Sequence, residues 1–232
     1  MSFDQISSNS YGSTVVDSTT RNRVLRNTYL MLAISMIPTV LGAWLGVATG
    51  LFQSMLGSPI ISLVVFLAGA FGFCFMIEKN KNSGSGVFWL LGFTFFMGVM
   101  LSRMVGFWLG TANGANIIAT AFGGTAFIFF GMAAMGSIIK KDLSNLGKFL
   151  MMGVWVVFAV SILAMFIHSS VLYLALSAGV LVIFSLFVLY DVNRIVQGGE
   201  TNYITATLSL YLSLYNIFQS LLSILGIMNS ND

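Results

Sequence analysis

Apolar residues run in seven long blocks along this 232-residue chain, and polar residues gather in the short gaps between them. The blocks cover roughly residues 28–48, 56–77, 87–109, 117–139, 146–167, 171–190 and 205–228. Each is close to the ~20 residues that a helix needs to cross a hydrocarbon core about 30 Å thick. The pattern therefore predicts seven transmembrane helices. Gly42, Gly46 and Gly50, spaced four apart, mark a face of the first helix for close contact, and Pro38 predicts a kink in it. Residues 1–26, with SSNSYGST and DSTT, are polar and without apolar periodicity, which predicts a flexible tail ahead of a transmembrane domain over 27–232. That tail lacks the basic start followed at once by a short apolar core that a cleavable signal shows, so the first helix is expected to be retained.

The last block differs from the others. Ser209, Ser213, Asn216, Ser220 and Ser223 recur at intervals of four, three, four and three, which on a helix confines them to an arc of about 80°. Hydrocarbon offers no hydrogen-bond partner, so such a stripe has to face other helices or water. The expectation is an all-α integral membrane protein with the C-terminal helix buried at its centre. The same small residues also serve close packing alone, a reading that suits Ser220 and Ser223 as well.

Composition sharpens the class. The chain is 57% hydrophobic and 7% charged, with a mean hydropathy of +0.94, whereas soluble domains carry about 25% charged residues. No mass remains for a separate soluble catalytic domain. The net charge of +3 reflects topology rather than nucleic-acid binding. Arg21, Arg23, Arg26, Lys79, Lys81, Lys140, Lys141, Lys148 and Arg194 all fall in the tail or in the even-numbered connections, and the odd-numbered connections hold no Lys or Arg. The positive-inside rule then places the N-terminus in the cytoplasm and the C-terminus on the opposite side.

A few residues stand out as candidate chemistry. Asp191, in LYDVNRI, lies at the membrane boundary, where a carboxylate is costly unless paired, hydrated or protonated. Arg194 follows one turn later, so the two read either as a helix-end pair or as a proton- or cation-sensing site. Arg103 lies inside the third block, where it either snorkels to the interface or lines a cavity. Glu78 among lysines reads as a solvated acid, His168 as an interfacial histidine, and Cys74 as a small packing residue. With one His and one Cys the sequence offers no metal-ligand cluster and no disulfide framework. Serine-protease chemistry is excluded because Gly84, Ser85 and Gly86 have no neighbouring histidine, and aspartyl-protease chemistry because Asp191 has no second intramembrane acid. No phosphate-binding or dinucleotide fingerprint is present, and no cofactor is expected.

The stretches VLRNTYLML (24–32), FGGTAFIFF (122–130), KKDLSNLGKFLMMG (140–153) and GGETNYITATLSLYLSLYNIFQSLLSILG (198–226) resemble the Bax inhibitor-1-like membrane proteins, and more closely their bacterial YccA-type branch. That resemblance implies six helices around the C-terminal one, a bacterial inner-membrane location, and modulation of the membrane-bound protease FtsH, as inhibitor or competing substrate, with the cytoplasmic tail offered to the protease. It also implies an alternative function, a pH-sensitive cation or calcium leak governed by two aspartates. The first of these corresponds to Asp191, and the second position holds Ser213 in LYLSLY, so the pair is broken here.

Overall fold

The computed structural model describes residues 18–50, 59–164, 166–167 and 169–229. Among them the chain forms seven helices: α1 (Ser18–Thr49), α2 (Pro59–Asn80), α3 (Gly84–Leu109), α4 (Gly114–Ile138), α5 (Ser144–Ala164), α6 (Ser170–Val196) and α7 (Tyr203–Asn229). All seven are long and apolar enough to cross a membrane. The six helices α1 to α6 are arranged about α7. Four of them, α1, α3, α4 and α6, pack along α7, α2 touches it lightly, and α5 packs against α6 alone. α7 accordingly buries the largest share of its length, including Ile204, Leu210, Tyr211, Ile217 and Leu222.

One boundary differs from the hydrophobic pattern. α1 begins at Ser18, so residues 18–26, which the pattern assigns to the tail, are its first turns. Polar residues there hide the helix from a reading of apolar periodicity. The tertiary structure supplies what the sequence lacks, since Val24 is buried in the core and Arg21 Nη1 donates to Val196 O at 3.1 Å. Residues 1–17 lie outside the described residues.

The glycine pattern is half realised. A side chain at Gly42 would collide with the Phe95 carbonyl, one at Gly46 with the Ser102 hydroxyl, and one at Gly98 with the Thr39 carbonyl, so these three let α1 and α3 approach backbone to backbone. Gly50 serves a different purpose, because its φ of +59° places it in the left-handed region just past the end of α1.

Tyr211 joins three helices. Its hydroxyl lies 2.9 Å from Thr39 Oγ1 on α1 and donates to Thr94 O on α3 at 3.3 Å, and its ring meets Phe93 edge-on. The connection into α7 is equally specific. Gly198, at φ +79°, closes α6, with the Gly199 and Gly198 amides donating to Arg194 O and Ile195 O, the paired bonds of a left-handed C-terminal cap. Asn202 then caps α7: its Oδ1 accepts from Ile204 N and Thr205 N, while its Nδ2 reaches Lys81 O and Asn82 Oδ1 in the α2–α3 turn.

Two substitutions test these contacts by thermal unfolding in detergent. Gly98→Ala forces α1 and α3 apart and is expected to cost about 1–3 kcal/mol, as overpacking does. Asn202→Ala removes a cap and a tie between loops, and is expected to cost roughly 1–2 kcal/mol. A midpoint unchanged in either variant would show that the contact in question carries no stability.

Candidate functional site

Two polar regions interrupt the apolar bundle, one at each end. At the end that carries the cationic residues, α6 finishes in a run of side chains that satisfy backbone groups of its neighbours. α4 stops at Ile138, leaving carbonyls without intrahelical partners. Asn193 Nδ2 donates to Ile139 O at 2.6 Å and to Gly136 O at 3.4 Å, and Gln197 Nε2 donates to Ile139 O at 3.2 Å. Just ahead of α5, Asp142 Oδ1 accepts from Ser144 N and Ser144 Oγ, and these two bonds hold its carboxyl below the usual carboxylate range. A cavity of about 390 Å³ lies here, lined by Asp142, Ser144, Tyr190, Asn193, Arg194, Gln197 and Gly199.

Asp191 sits behind this cavity rather than on it. It is 8% exposed and makes no hydrogen bond or ion pair among the described residues. The helix-end pair expected with Arg194 does not form. Arg194 instead turns outward, its Nη2 lying 3.5 Å from Glu200 Oε2 and its Nε donating to Gly199 O at 3.2 Å. Glu200 wins because its loop lets both partners stay partly hydrated, whereas Asp191 faces inward from the same helix. Ser213 is buried at 3% exposure and makes no bond to Asp191. Among the described residues Asp191, Arg194 and Ser213, grouped by the sequence pattern, are thus not joined by a hydrogen bond or ion pair.

The serine stripe divides in two. Ser209 and Ser213 lie within the packed half of α7. Asn216, Ser220 and Ser223, with Gln219, face a second cavity of about 270 Å³, whose other walls are Met104 of α3, Ser161 and Ala164 of α5, and Tyr173, Leu176, Ser177 and Val180 of α6. Asn216 Nδ2 donates to Leu212 O of its own helix at 2.8 Å, and Gln219 Nε2 to Tyr215 Oη at 3.4 Å. The cavity exists because α5 leans on α6 and leaves a gap beside α7. Arg103 lies outside it, exposed on the flank of α3 and without a hydrogen bond or ion pair among the described residues; the snorkelling reading suits that position. Glu78 pairs with Lys81 at the exposed α2 end, and Cys74 is half-buried against the core. The side chain of His168 lies outside the described residues. Among the described residues no group of three or more His, Cys, Asp or Glu forms a metal site.

Four side chains that tie elements of the bundle together, Asn193, Gln197, Asn202 and Tyr211, do not emerge from the sequence patterns above. The first three carry a usable signal as amides at helix ends, where carbonyls and amide groups lack partners. Tyr211 carries none, since an aromatic in an apolar helix looks the same whether it faces lipid or the core. Ser161 and Ser177 join the cavity only through the placement of α5 and α6.

Residues 21–230 match the family model described as inhibitor of apoptosis-promoting Bax1. A Vibrio cholerae protein named only as an uncharacterized membrane protein is 42% identical, with 91% of this chain and 92% of the relative covered. The Escherichia coli K12 protein named modulator of FtsH protease YccA is 40% identical over 96% of this chain and 97% of its own length. Its counterpart in Escherichia coli O6:H1, at the same identity and coverage, is named an inner membrane protein. With a family model spanning nearly every described helix and relatives aligned almost end to end, this seven-helix chain is a member of the Bax inhibitor-1 family.

Proposed function

We propose that this protein is a membrane-embedded modulator of an FtsH-type protease, acting by binding rather than by catalysis. The observation that carries the reading is the 40% identity to the Escherichia coli modulator of FtsH across nearly the whole of both chains. Alignment at that extent includes the helical body as well as most of the polar N-terminal segment. The cation distribution supports a cytoplasmic N-terminus and a C-terminus on the far side. On this reading the helices supply the contact with the protease within the bilayer. Residues 1–26 begin on the protease's side, and those ahead of Ser18 are offered to it as inhibitor or competing substrate. The Arg21 bond to Val196 O marks where that segment joins the packed body.

A second reading, a pH-sensitive cation or calcium leak, is favoured by one observation. Asp191 is a buried carboxylate with no hydrogen bond or close ion pair from its side chain among the described residues, and ionisable groups within membrane helices mark ion or proton paths. The position that would hold a second acid is Ser213, so a leak here would depend on a single carboxylate.

Detergent co-purification with FtsH, before and after removal of residues 1–17, tests the first reading. Association is expected to persist without the segment, while turnover in cells with active FtsH slows. Failure to associate even after crosslinking in intact membranes would overturn it. For the second, calcium and proton flux into liposomes is compared between wild type and Asp191→Asn across neutral pH. A leak centred on Asp191 loses its pH dependence in the variant, and identical traces would remove Asp191 from any such role.

A further inference from the structure

The cavity between α5, α6 and α7 belongs to neither of these functions. Its most informative member is Ser220, which is 4% exposed, lines the cavity, and has no hydrogen-bond partner among the described residues. Several hydroxyls elsewhere in the bundle are bonded, although Ser209 and Ser213 of α7, outside the cavity, are not. Thr28, Ser35, Thr125 and Ser185 each return their proton to the carbonyl four residues earlier, at 2.6–2.8 Å. That back-bond is the ordinary refuge of a hydroxyl in lipid. The cavity serines Ser161, Ser177, Ser220 and Ser223 do not take it. The amide oxygens of Asn216 and Gln219, whose nitrogens are engaged, likewise have no partner.

Four hydroxyl donors and two amide acceptors thus converge on one space at membrane depth. Asn216 stands thirteen residues and Ser223 six from the last residue of α7, about 20 Å and 9 Å along the axis. Among the described residues no side-chain oxygen or nitrogen is sealed away without a partner, so these unbonded groups face the open space, and an occupant that both donates and accepts matches them. No lining side chain is a carboxylate, a lysine or an arginine. A charged ligand would meet no counter-charge, and a bare cation would leave the serine protons unmatched. A volume of about 270 Å³ suits a small molecule with accompanying water. Ser161 is exposed and α5 does not pack on α7, so the cavity opens sideways between them.

We propose that this cavity, walled by Ser161, Ser177, Asn216, Gln219, Ser220 and Ser223, binds an uncharged polyol, supplied either as free glycerol or as the glycerol headgroup of a phospholipid. Asn216 and Gln219 accept its hydroxyl protons, and the serines donate to its oxygens.

The test uses the full-length protein in phosphatidylcholine vesicles, carrying Cys74→Ser and Ser223→Cys, and follows the rate of labelling by a water-soluble methanethiosulfonate. Met228→Cys in the same background, on the exposed end of α7, reports general effects of viscosity and lipid. Ser223→Cys is expected to label, and to label several-fold more slowly, relative to Met228→Cys, on addition of glycerol or on replacing part of the lipid with phosphatidylglycerol. Protection by glycerol assigns the free polyol, and protection by phosphatidylglycerol alone assigns the lipid. Adding Ser220→Leu fills the cavity and is expected to abolish either protection; Ser177→Val serves if that variant does not fold. Three results would overturn the proposal: no labelling of a folded protein, labelling that neither probe slows, or slowing by sodium or calcium salts alone.

Discussion

In hydrocarbon a hydrogen-bonding group is costly unless it finds its partner inside the protein, and this one constraint orders the bundle. Helices meet it for the backbone. Side-chain hydroxyls meet it by returning to their own helix, as Thr28, Ser35 and Thr125 do, or by crossing to a neighbour, as Tyr211 does with Thr94. Where a helix ends, the requirement passes to amide side chains: Asn193 and Gln197 cover the last carbonyls of α4, and Asn202 covers the first amides of α7. Association between helices then depends on how closely they approach, since lipid is as apolar as leucine. Gly42, Gly46 and Gly98 set that distance for α1 and α3.

These two rules explain why α7 is central. It presents Tyr211, Ser213 and Ser220 on faces that lipid would penalise, and it is surrounded accordingly. The other helices keep large apolar side chains outward, among them Trp44, Phe71, Phe127 and Trp155. The result is a bundle built about the polar-striped α7, with α5 set against α6.

Much of this was legible in the sequence because membrane depth leaves so few options. Block length gave the helix count, and the stripe from Ser209 to Ser223 identified the buried helix. What escaped depends on tertiary placement. The start of α1 at Ser18 rests on Arg21 meeting Val196, which no periodicity reports. Arg194 turns to Glu200 because a loop brings that acid round, whereas sequence distance favoured Asp191. Gly50 continues a spacing of four and yet serves the chain's exit from α1. The division of the stripe into a packed half and a cavity-facing half arises from the gap that α5 leaves beside α7, and nothing within α7 encodes that gap.

The anchorage of α7 is uneven along its length. At Asn202 it is tied by side-chain bonds to the α2–α3 turn, and at Tyr211 to α1 and α3. Beyond Tyr211 its cross-helix neighbours are held by shape, with Gly226 seated on the ring of Trp108. Directional bonds thus hold the first third of the helix, and burial of Leu222 against Trp108, Ile117 and Ala121 holds the part that follows. Between Asn216 and Gly226 the central helix is therefore positioned by shape rather than by direction, since among the described residues its hydroxyls there keep no bond.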